Sequence, residues 1–157
     1  MALPEVPVLF MKPSTALADP FPAPTVIPRA FVDDKAADYE SELVVVIGKA
    51  AKNVSEEEAL DYVLGCAQLP SLRALPRAHA HAKPAARSYT AANDVSSRRA
   101  QFAQSQWCYS KSFDGACPVG PALVNKDQVK SIADLKIRGS LNGNTVQESG
   151  LECVIAS

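Results

Sequence analysis

The sequence predicts an α+β fold in which strand outweighs helix, on three observations. The longest apolar run, residues 43–47, is β-branched and only the length of a strand. Only one stretch, Ser55-Glu56-Glu57-Glu58, carries clear helix-start chemistry. Toward the end, Asn142-Gly143 separates two short segments and has the composition of a tight hairpin turn. At 157 residues the chain is long enough for one domain with a core. Its 47% hydrophobic and 21% charged residues describe an ordinary globular protein. A net charge of −1 argues against a general electrostatic grip on nucleic acid or anionic membrane. No apolar run approaches bilayer length.

The elements follow in order. Seven of the twelve prolines fall before residue 29, so the entry reads as turns and extended pieces, with a short strand over 8–11. Residues 42–48 form the strongest strand, and their continuous apolar character predicts burial on both faces. The helix runs over 56–64, with Ser55 as N-cap, Glu58 at the third position and Gly65 as its stop. A strand follows over 89–93, then a turn or short helix over 95–104. Residues 135–141 and 145–147 flank the hairpin turn. Residues 66–88 stand apart, with four Lys/Arg, three Pro, seven Ala, no acid and no periodicity. They predict an irregular surface excursion or disorder.

The candidate chemistry begins at Glu40 and Glu42, at the head of the apolar run. Alternate strand residues share a face, so the two carboxylates project together at the edge of a core. Their mutual repulsion and lost hydration call for a compensating positive charge, and a divalent cation with oxygen ligands (Mg²⁺, Mn²⁺ or Ca²⁺) is the economical one. Asp94 closes the 89–93 strand as a third carboxylate. Arg98 and Gln101 lie four and seven positions further on, one face of a helical turn. Lys111 precedes a Gly- and Pro-containing loop. His79 and His81, the two histidines, lie in the odd segment and lack a third ligand nearby. Cys66, Cys108, Cys117 and Cys153 fit no zinc spacing and read as free thiols. No helix start or basic cluster marks Cys108 or Cys117 as an activated thiolate.

Five stretches carry a resemblance: PVLFMKPSTAL (7–17), DYESELVVVIGK (38–49), YTAANDVSSR (89–98), KSFDGACPVGPALV (111–124) and LNGNTVQ (141–147). In order and spacing the chain resembles the fumarylacetoacetate hydrolase family, in particular its small domain-containing members. The resemblance implies a mixed β-sheet and β-roll core. It implies Mg²⁺ or Mn²⁺ held by Glu40, Glu42 and Asp94. Arg98, Gln101 and Lys111 become the catalytic set, with Arg98, Lys111 and, less directly, Lys12 around the substrate. It further implies a small 2-oxo or 1,3-dioxo acid as substrate, reacting through a metal-bound enolate. C–C bond hydrolysis of an acylpyruvate-type compound and tautomerisation, isomerisation or decarboxylation of oxaloacetate all fit. Homodimers are expected, with no nucleic acid or membrane partner.

The same resemblance marks departures. The family's H-x-x-E motif, ahead of the stretch beginning at Pro7, has no counterpart here, which leaves the general base unfilled. Residues 66–88 have no family counterpart and read as an insert within a single partial domain spanning 1–157. Beyond Glu152 the family continues with sheet strands and a lid loop, so the chain is expected to be truncated at both ends. These departures make a catalytically dead variant the alternative to an active enzyme. The chain as written is expected in the cytoplasm, with a mitochondrial location open to a longer form.

Overall fold

The computed structural model describes residues 7–32, 35–64, 88–125, 128–129 and 131–151. The chain forms two compact units: Met1–Glu42, Ala91–Pro121 and Ile132–Ser157 in one, Leu43–Thr90 and Ala122–Ser131 in the other. The strands are β1 (Leu17–Ala18), β2 (Ala37–Asp38), β3 (Ser41–Val45), β4 (Ser88–Asn93), β5 (Ser96–Ser97), β6 (Cys117–Asn125), β7 (Lys136–Leu141) and β8 (Asn144–Gly150). The helices are short: α1 (Arg29–Val32), α2 (Glu56–Ala59), α3 (Arg98–Ala103) and α4 (Cys108–Lys111). The α+β, strand-dominated fold is therefore the one expected. A mixed sheet runs in the order β1–β6–β4–β3, with two further ribbons, β2–β5 and β7–β8.

The first unit contains every candidate site residue. Its apolar core is small: Ala16, Phe31, Val95 and Ala116 are buried. Phe31 packs edge-on to Tyr109 at 5.7 Å and tilted on Phe113 at 5.5 Å. Among the described residues of this unit, the other buried side chains are polar or charged, namely Asp94, Ser96, Ser97, Gln101, Ser110 and Lys111. Buried polar groups persist only when they satisfy one another, so this interior is a bonded network.

Two pairings build that network. In the antiparallel β2–β5 ribbon Ala37 faces Ser97 and Asp38 faces Ser96. It continues beyond the strand ends, where the Asp94 N–H donates to the Glu40 carbonyl at 2.9 Å. In the parallel β1–β6 pair Leu17 faces Cys117 and Ala18 faces Pro118, which lays residues 11–18 beside 111–118. The β7–β8 hairpin turns at Asn142 and Gly143, both at positive φ (52° and 81°), where Asn and Gly are the least strained residues. Its Gln147 amide accepts from the Ser41 N–H at 2.9 Å and donates to the Ser41 carbonyl at 3.3 Å, so the hairpin steadies residues 39–42.

Several expectations are corrected. Residues 8–11 adopt no regular strand. The strand over 42–48 stops at Val45, with Ile47 forming a lone bridge to Val63. It is not buried on both faces either: Val45 is 44% exposed and Ile47 59%. Ser55 does cap α2, accepting from the Glu58 N–H at 3.3 Å, but the helix ends at Ala59 and a 3₁₀ turn covers Leu60–Tyr62. The reason lies just beyond: the Leu64 N–H donates to the Val46 carbonyl and the Gly48 N–H to that of Tyr62, which requires extended backbone at 63–64. The strand predicted over 89–93 begins one residue earlier, at Ser88. Gly65, the histidines, Cys66, Cys153 and residues 66–87 lie outside the described residues. Among the described residues, no helix is long and apolar enough to cross a membrane.

Candidate metal centre

Glu40 lies just before β3 and Glu42 within it, while Asp94 follows β4 at the start of the turn into β5. One carboxylate oxygen from each can be chosen so that all three lie within 4.8 Å of one another. The β2–β5 ribbon causes this convergence, with a further clamp from the Glu40 N–H to Asn93 Oδ1 at 3.1 Å.

Three cations surround the carboxylates. Lys111, buried at the end of α4, donates to Glu40 Oε1 at 2.8 Å, Asp94 Oδ2 at 2.9 Å and Ser96 Oγ at 2.6 Å. Arg98, half-buried at the start of α3, donates from Nε to Asp38 Oδ2 at 2.8 Å and from one terminal nitrogen to Glu40 and to Gln101 Oε1, the latter at 2.9 Å. Lys12 Nζ sits 2.7 Å from Asp94 Oδ1 and donates to the carbonyls of Lys111 and Ala116. Burial would raise the Glu40 pKa, but bonds and charge from Lys111 and then Arg98 outweigh it and hold that carboxyl low. Glu42 moves the other way. Burial, then the negative charges of Glu40 and Asp94, push its pKa up against the pull of Lys111. For Arg98, desolvation is overcome by Asp38 and Glu40, and its pKa rises.

The residues fit a divalent ion on two counts. Asp94 Oδ1 is buried and carries no hydrogen bond, since the close Lys12 ammonium meets it as an ion pair without hydrogen-bond geometry. Glu42, unlike Glu40 and Asp94, has no cation in contact among the described residues, and burial, followed by the charges of Glu40 and Asp94, raises its pKa despite the pull of Lys111. Oxygens on opposite sides of an ion stand about 4.2 Å apart for Mg²⁺ and about 4.6–5.2 Å for Ca²⁺. The 4.8 Å cluster spans the larger ion as it stands, and a small inward rotation suits the smaller.

All the residues singled out in the sequence, Lys12, Glu40, Glu42, Asp94, Arg98, Gln101 and Lys111, meet in this unit. Asp94 itself is not helical, so Arg98 and Gln101 share a face with each other, as an i, i+3 pair, rather than with it. Two contributors went unread, Asp38 and Ser96. Their signal was the alternation Asp38-Glu40-Glu42 and Asp94-Ser96, which sets each beside a carboxylate already chosen. Cys108 and Cys117 are free and half-buried. Burial pushes the Cys117 thiol up, Lys12 opposes, and Asp94 and Glu42 add to the rise, so it is no activated thiolate.

With the geometry in hand, comparison with known proteins is specific. The sequence family described as fumarylacetoacetate (FAA) hydrolase C-terminal matches residues 1–71 and 71–157. A mitochondrial oxaloacetate tautomerase of Xenopus laevis is 36% identical over 149 residues, covering 94% of this chain and 38% of the relative. Caffeoylpyruvate hydrolase of Neonothopanus nambi is 46% identical over 116 residues, covering 72% of this chain and 32% of that protein. Among solved structures, 2-hydroxyhepta-2,4-diene-1,7-dioate isomerase from Mycobacterium marinum superposes with a TM-score of 0.71 at 33% identity, over 95% of this chain and 47% of that one. The chain spans less than half the length of each of these proteins.

Proposed function

The chain belongs to the fumarylacetoacetate hydrolase family, and from that premise we propose that Glu40, Glu42 and Asp94 hold a divalent cation (Mg²⁺, with Mn²⁺ or Ca²⁺ as substitutes) in an enzyme acting on small 2-oxo or 1,3-dioxo acids. The observation that carries this reading is the convergence of three carboxylates, one of them Asp94, whose buried Oδ1 has no hydrogen-bond partner among the described residues. When bound, the ion supplies Lewis acidity that polarises a carbonyl and stabilises developing enolate charge. Arg98, braced by Asp38 and Gln101, presents a planar fork suited to a substrate carboxylate. The Gln101 side-chain amide offers N–H groups for a developing oxyanion. Lys111, with all its bonds inside the protein, contributes through its charge and by holding the ligands. Residues 66–88 are read as an insertion into the catalytic domain.

The reaction proposed is hydrolysis of a C–C bond in an acylpyruvate-type substrate. Tautomerisation of oxaloacetate is the second reading. It is favoured by the similarity to a protein of that name and by the smaller demand of a reaction that needs no water nucleophile. That relative's name also supports a mitochondrial location. Turnover of an acylpyruvate and of oxaloacetate with Mg²⁺ or Mn²⁺, lost in Glu42→Ala, is the expected result. An unchanged rate in that variant refutes the assigned site.

A further inference from the structure

Lys12 sits where a substrate-binding lysine was expected, but its ammonium is held by groups of the protein itself. An ammonium has three protons. Here two backbone carbonyls accept from Nζ, those of Lys111 and, at 3.1 Å, of Ala116, and Asp94 Oδ1 lies 2.7 Å away as an ion pair. The side chain is only 13% exposed. The two carbonyls belong to the end of α4 and to the turn before β6, and Ala116 is also held by the Val95 N–H at 2.9 Å. The ammonium is therefore pinned: swinging toward solvent would give up both carbonyl bonds and the ion pair with Asp94.

The oxygen it touches is the one that carries no hydrogen bond and is available to a metal. We infer that Lys12 is a built-in counter-cation that sets the divalent-ion affinity of the Glu40–Glu42–Asp94 cluster, and not a residue that binds substrate. The inference rests on the metal reading proposed above. A fixed positive charge beside a ligand oxygen both neutralises that ligand and repels an incoming divalent ion, and the interaction is strong where water is scarce. Lys12 thereby stabilises the ion-free cluster at the expense of ion affinity.

The test uses Mn²⁺ alone, titrated into the full chain and followed by the electron paramagnetic resonance of the free ion. Lys12→Gln and Lys12→Met remove the charge, while Lys12→Arg keeps it. Both neutral variants are expected to bind Mn²⁺ at least about tenfold more tightly than wild type, with Lys12→Arg close to wild type. A neutral variant that binds equally or more weakly overturns the inference. Wild-type protein that binds no Mn²⁺ instead overturns the metal reading itself. Should both neutral variants fail to fold, the wild-type chain decides. A cluster neutralised from within keeps its fold after stripping with EDTA, and unfolding on stripping overturns the inference.

Discussion

Lys111→Met is the perturbation that tests the network most directly. The substitution keeps an unbranched apolar stem of similar reach and removes the ammonium. Three acceptors then lose their partner: Glu40 Oε1, Asp94 Oδ2 and Ser96 Oγ. Removing one member of a buried ion pair costs about 3–5 kcal/mol, because the remaining charge stays buried and uncompensated. Glu40 retains Arg98 and Asp94 retains Lys12, so the lower end applies, about 3 kcal/mol. In a chain of this size that lowers Tm by roughly 6–12 °C.

Urea unfolding and thermal melting measure the loss, and Mn²⁺ supplies the second arm. An ion placed among the same carboxylates takes over part of the missing charge, so Mn²⁺ should raise the Tm of Lys111→Met more than that of wild type. A loss below about 1 kcal/mol, the range of an exposed ion pair, would refute the argument that this lysine is an internal counter-charge. An equal Mn²⁺ increment in both proteins would refute it too.

Two further predictions concern Glu42 and Gly48. Because the Glu42 pKa is raised in the fold, its ionised form is disfavoured there, and its contribution to stability declines as pH rises through that pKa. Glu42→Gln should therefore melt higher than wild type at neutral pH without divalent ions, lose that advantage in acid where Glu42 is protonated, and fail to bind Mn²⁺; a variant less stable at neutral pH contradicts the charge argument. In Gly48→Ala the new Cβ would lie 2.6 Å from Leu64 Cα, a backbone atom that cannot turn aside. Urea unfolding should show a loss of about 1–3 kcal/mol, and a neutral outcome would mean that the pairing of residues 46–48 with 62–64 is looser than described.

The residues that carry chemistry were legible where their pattern is local. Glu40 and Glu42 announce themselves as two acids heading an apolar strand, and Arg98 and Gln101 as one face of a short helix. What stayed hidden depends on register. Asp38 reaches Arg98 because β2 pairs with β5 so that Asp38 faces Ser96, and no short-range signal encodes that pairing. Lys12 was legible for its place but not for its contacts, which come from Asp94, Lys111 and Ala116, far along the chain. The helix over 56–64 was shortened by a competing demand: the Leu64 N–H donates to the Val46 carbonyl and the Tyr62 carbonyl accepts from the Gly48 N–H, which places Val63 in a bridge to Ile47, and backbone committed to that pairing leaves the helix. Tertiary hydrogen bonds overrode a capping signal that was itself correctly read.

The charge inventory explains why lysines belong in this cluster. Asp38, Glu40, Glu42 and Asp94 face Lys12, Arg98 and Lys111, so four carboxylates meet three cations before any ion arrives. Carboxylates gathered to this density without counter-charge would repel one another, and the buried Asp94 would pay most. The lysines remove that penalty, and they also draw electron density from the oxygens they touch. If an ion is held there as proposed, such weakened donors would leave it more of its own positive charge to act on a carbonyl. On the proposed metal reading, the arrangement would trade ion affinity for a fold that survives without the ion and for stronger Lewis acidity once one is bound. Glu42 alone among the three proposed ligands has no cation in contact among the described residues, so on that reading it is the residue whose loss should weaken ion binding most while costing the ion-free fold least.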